Sequence, residues 1–166
     1  MTLRFVHVEW DGGRESFDAI LRAESADGAI VSEIHDLVPR RGWKWISSDA
    51  LASAVPLDDN SPVVRLAGIR SMMPETIDVG LTTLAKLLDH LASTAELVGV
   101  FQASTGSDKL EVGRVERRAE SEFVLDLVNP SGEWEHDKAE YEMGVVISVE
   151  WRTDYLLALS DLAGPR

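Results

Sequence analysis

Cysteine is absent from all 166 residues, so disulfides, thiolate zinc sites and thiol redox chemistry are excluded, and a reducing cytoplasm is the expected setting. Positive charge is scarce. Sixteen Lys and Arg stand against 29 Asp and Glu, a net charge of −13, which repels phosphate backbones and anionic lipid and favours basic partners. Long apolar runs are missing too. The longest apolar-leaning stretch, Val79 to Leu91, is broken by Thr82, Thr83, Lys86, Asp89 and His90, well short of the roughly 20 residues of a membrane helix. The N-terminal MTLRFVHVEW alternates instead of presenting a basic region and an apolar run, so it reads as a strand and not as a signal peptide.

Catalytic signatures are lacking as well. There is no Gly-x-Ser-x-Gly elbow, and Asp11-Gly12-Gly13 has neither the Lys nor the following helix of a phosphate loop. His7, His35, His90 and His136 are scattered with no partner at ligand spacing. The densest polar group, Glu133-Trp134-Glu135-His136-Asp137-Lys138-Ala139-Glu140, holds one histidine where a helical zinc site needs two; it reads as a solvated acidic hairpin loop. No catalytic residue, metal or cofactor is expected. The alternative is a metal-assisted hydrolase using Glu133–Glu140 and the acidic Asp58-Asp59 loop.

What is present is β grammar with an apolar fraction of 45%, enough for a real core. Strands are expected over Leu3–Trp10, Phe17–Ala23, Ala29–Ile34 and Trp43–Ile46, separated by turn chemistry at Asp11-Gly12-Gly13, Ser25–Gly28 and Val38–Gly42. An amphipathic helix follows, with Asp78 as N-cap and Leu81, Leu84, Ala85, Leu88, Leu91 and Ala92 at helical spacing. Strands return at Leu97–Ala103, Leu110–Arg117, Phe123–Val128, Tyr141–Met143 and Val145–Trp151, with a bend or bulge at Gly144; Tyr155–Leu162 reads as a last short helix.

Two echoes share one offset. Arg22-Ala23-Glu24-Ser25 recurs as Arg118–Ser121, and Leu66-Ala67-Gly68 recurs as Leu162-Ala163-Gly164, each 96 residues on, while Pro39…Gly42-Trp43 is echoed by Pro130…Gly132-Glu133-Trp134. An internal duplication is the expected organisation, with residues 1–70 as an N-terminal β unit and 71–166 as a helix plus β unit.

The second unit carries Gly113-Arg114-Val115, the Asn129-Pro130-Ser131-Gly132-Glu133-Trp134 turn, and Ile147-Ser148-Val149 followed by Tyr155. In these elements it resembles uncharacterised small bacterial proteins in which a helix precedes the five bent strands of an Sm-like, SH3-like barrel. The resemblance implies a mainly β (α+β) fold of two small Sm-like/SH3-like barrel units with a central amphipathic helix. It implies no activity. The base- and phosphate-contacting loops of RNA-binding Sm proteins are missing, which leaves Arg40-Arg41 and Arg117-Arg118 as the only support for an Sm-like RNA binder.

The leading expectation is a non-catalytic module that binds a basic protein, in its sharpest form an acidic immunity or inhibitor protein for a basic toxin or nuclease. Its contact residues are expected among Trp43, Trp45, Trp134, Glu133, Glu135, Asp137, Asp58 and Asp59, since tryptophan concentrates at binding hot spots and carboxylates match a basic surface. Open strand edges also allow pairing into a homodimer.

Overall fold

In the computed structural model, residues 4–10, 15–70, 79–102 and 110–165 are described. The first half contains β1 (Arg4–Trp10), β2 (Glu15–Glu24), β3 (Gly28–His35), β4 (Val38–Pro39), β5 (Trp43–Ser47), α1 (Ser48–Leu51), β6 (Val55–Pro56) and α2 (Pro62–Arg70). The second half opens with a 3-10 turn (Val79–Thr82) and continues through α3 (Leu84–Thr94), β7 (Leu97–Gln102), β8 (Glu111–Arg117), β9 (Glu122–Val128) and β10 (Trp134–Glu142). A second 3-10 turn (Met143–Val145), β11 (Val146–Trp151) and α4 (Asp154–Ala163) complete it.

Local chemistry explains most of these bounds. Thr153 caps α4, its hydroxyl accepting from Leu156 N–H at 3.3 Å, with Asp154 in the first turn where the helix dipole favours a carboxylate. Leu84, Leu87, Leu88 and Leu91 make the buried stripe of α3. That helix starts at Leu84, later than the spacing suggested, because Leu81 belongs to the 3-10 turn. Val38-Pro39, expected in a loop, pairs with β3 as β4 across Asp36 and Leu37. Both turn residues have positive φ, 50° and 66°, as a two-residue hairpin of type I′ requires. The expected bend at Gly144 is the 3-10 turn between β10 and β11. Leu3, the Asp11-Gly12-Gly13 turn, the Asp78 cap and the turn after Ala103 lie outside the described residues.

All strands among the described residues join one antiparallel sheet. Its order is β10-β9-β8-β7-β11-β5-β3-β2-β1-β6, with β4 hung on β3, and it does not close. Two separately closed barrels are therefore not what forms: β11 of the second half pairs with β5 of the first, through Ser148↔Ile46, Val149↔Trp45, Glu150↔Lys44 and Trp151↔Trp43, and hydrogen bonding runs on across the seam. Each half uses the same order. A four-strand meander is followed by a strand that returns beside the meander's first member, β6 beside β1 and β11 beside β7.

The second half must curl. β10 and β11 stand at opposite ends of a five-strand run, about 19 Å apart if flat, yet only Met143–Val145 separates them, a link that spans at most about 14 Å. The buried Tyr141 of β10 accordingly reaches Glu111 at the start of β8, its hydroxyl donating to the carboxylate. Burial first, and that carboxylate second, push the phenol well above its ordinary range.

The main core packs the α3 leucines on Val98, Val115, Phe123, Leu125, Tyr141, Val149 and Trp151, with Ile30, Trp43 and Trp45 entering from the first half. Trp45 Nε1–H donates to Thr82 O at 2.8 Å. A second core holds Val6, Val8, Ala19, Val31, Ile46 and Ala50. Val63 of α2 packs on Ile20 and Ile34, on the same face of β3 as Ile30, whereas Leu156 and Leu159 of α4 pack on Leu97, Val112 and Val128, on the face of β7 and β8 opposite to Val98 and Val115. Among the described residues no helix is long and apolar enough to cross a membrane.

Candidate functional site: an acidic sheet edge

The Asn129–Gly132 turn delivers the chain into β10. Asn129 Oδ1 accepts from Ser131 N–H at 2.9 Å and Glu133 N–H at 3.1 Å, and Gly132 takes a φ of 81° against the side chain of Leu162. Trp134 then pairs with Val128, but the next pair is Lys138↔Asp126, so Glu135, His136 and Asp137 form a bulge. From Lys138 to Glu142 pairing with β9 is unbroken. The Glu133–Glu140 group, expected as a loop, is thus mostly an edge strand, and its charges break the alternation because the bulge breaks the register.

Glu135, Asp137, Glu140 and Glu142 are all exposed along this strand, as is Glu133 just before it. Lys138 is engaged by Glu116 of β8 at 2.6 Å, and this hydrogen bond and charge hold the Glu116 carboxyl below its usual range. A cleft of about 290 Å³ opens beside the strand between Arg118, Glu122, Val124, Glu140 and Glu142.

The other expected contact residues are dispersed. Trp43 and Trp45 are 7% and 2% exposed and belong to the main core, so they leave no ring face for a partner. Trp134 is half-buried beneath α4, with the Arg114 guanidinium 4.6 Å from its ring centroid. Asp58 and Asp59 are exposed after β6, at the opposite end of the strand order from β10. The two acidic groups of the hydrolase alternative therefore do not meet, and among the described residues no group of three or more His, Asp or Glu could hold a metal ion. The two arginine pairs each face carboxylates: Arg40 faces Glu33 at 3.8 Å, Arg41 faces Asp154 at 4.0 Å, Arg117 faces Asp89 at 2.9 Å and Arg118 faces Glu116 at 3.7 Å.

One cluster escaped the sequence. At the seam Lys44 Nζ lies 3.0 Å from Glu33, 3.8 Å from Glu150 and 4.7 Å from the centroid of Phe17, uniting β3, β5, β11 and β2. Burial pushes the Glu150 carboxyl up, with Lys44 opposing. The cavity beside it measures about 20 Å³, room for roughly one water and no substrate. Lys44 links β5 to β3 and β11 across the seam. The one signal was a lysine between two tryptophans on a strand. The larger cleft of about 390 Å³ lies between α4 and the loop at Arg41, where Glu96 grips Arg152 through three contacts of 2.6 to 3.2 Å.

No protein-family model matches the chain, and no curated protein or solved structure does.

Proposed function

We propose that this chain is a non-catalytic binding protein made of two duplicated Sm-like/SH3-like β units, and that it recognises a basic protein through its acidic edge. The duplication is supported by the shared strand order and by where the echoes fall. The first Arg-Ala-Glu-Ser closes β2 and the second follows β8, the Leu-Ala-Gly copies lie in α2 and at the end of α4, and Trp43 and Trp134 both begin the fourth main strand of their half. The Sm-like reading is supported by a helix followed by a meander whose fifth strand returns beside the first.

The observation that carries the function is the run of exposed carboxylates on β10, on a chain of net charge −13. Fixed charge of one sign accelerates encounter with the opposite sign and rejects like-charged competitors. Neutralising a basic toxin or nuclease in the cytoplasm is the role that fits best. Partners captured on the immobilised chain are identified by mass spectrometry and their association rates measured against salt. A Lys/Arg-rich partner whose rate falls about tenfold or more from low to physiological salt is expected. Capture of no basic protein, or salt-independent association, contradicts the reading.

A further inference from the structure

The two ends of the sheet are not equivalent. β6 is two residues long, and Pro56 in it has no N–H to give an incoming strand. β10 is nine residues long, keeps regular pairing with β9 from Lys138 to Glu142, and has no strand beyond it among the described residues. In the first half the corresponding strand, β5, has that same edge filled by β11.

We propose that β10 is a docking edge for an extended basic segment of the partner, added antiparallel beside Lys138–Glu142 as β11 is added beside β5. This rests on the reading that the partner is basic and specifies how it binds. Alternation sets the sequence such a segment needs. Ala139 and Tyr141 point to the core, while Lys138, Glu140 and Glu142 point away from it. Lys138 is already held by Glu116. An incoming strand therefore meets Glu140 and Glu142 with Lys or Arg at alternate positions, and lays small apolar residues beside Ala139 and Tyr141. A second copy does not fit the edge: β10 against β10 brings the carboxylates of both chains onto one surface, and β6 is too short and lacks the donor. The charges guard the strand against its own kind and leave it open to a basic one.

The test uses the whole chain and a short capped peptide alternating valine with lysine and arginine. A matched peptide N-methylated at alternate backbone amides has the same charge but cannot pair. The expected result is binding of the first peptide only, slowed amide exchange within Lys138–Glu142 on binding, and affinity about tenfold weaker for E140K/E142K. Equal binding of both peptides with unchanged β10 exchange overturns edge docking and leaves recognition of a basic partner standing. Binding of neither peptide even at low salt overturns both. Slow β10 exchange without peptide, in a chain that sediments as a dimer, overturns the proposal in favour of a second copy.

Discussion

The two halves share a strand order and differ in what lies against the fourth main strand. In the first half β5 is enclosed by β3 and β11, carries Trp43 and Trp45 into the main core, and holds Lys44 between two carboxylates. In the second half β10 is paired on one side only among the described residues, its tryptophan is half-buried, and its carboxylates are exposed. Equivalent places in a repeated topology thus become a structural seam in one copy and an exposed edge in the other. The covering strand makes the difference.

The two halves differ most at their tryptophans. Trp43→Ala opens a cavity in the core that both halves share and is expected to cost about 4 kcal/mol, whereas Trp134→Ala removes a half-buried ring and costs about half as much. Equal losses in denaturant melts would dissolve the distinction. At the seam Glu150 carries a raised pKa, so the folded chain holds that proton more tightly than the unfolded one. Wild-type stability relative to Glu150→Gln should rise as pH falls through the raised pKa, complete the rise below the ordinary value of 4.5, and fall again on return to neutral pH. A flat difference across that window would remove the buried carboxylate from the account.

Leu37→Gly, at a φ of 66°, should stabilise the β3–β4 hairpin by about 1 kcal/mol, because glycine takes the left-handed conformation without the Cβ clash; a lower melting temperature would refute that. Reversing Glu140 and Glu142 to lysine, both exposed, should move the melt by less than about 0.5 kcal/mol, since the edge serves binding and not folding.

Much of the first-half meander and of β7 to β9 was legible because glycine- and asparagine-centred turns separate runs with strand periodicity. The fold's joints were not. α2 presents Val63 as its one fully buried residue among those whose burial is described, too little for a periodic signal, and β6 is two residues following a short α1. Glu133–Glu140 has the pattern of a loop, and only the Tyr141 end of β10 that of a strand, because the bulge at Glu135–Asp137 places charge on both faces. The seam depends on a register between residues about a hundred positions apart, Trp43 against Trp151, which local pattern does not encode. For the site, the acidic run at Glu133–Asp137 was legible as exposed charge, but Trp43 and Trp45 were drawn into the core by that same unseen pairing.

Among the described residues β10 is open where β5 is covered. Residue-resolved amide exchange of the free chain tests it directly. Protection is expected on both edges of β5 where β3 and β11 pair with it, with alternating protected and fast amides along Lys138–Glu142. Uniform protection along β10 would show the edge already occupied and contradict it.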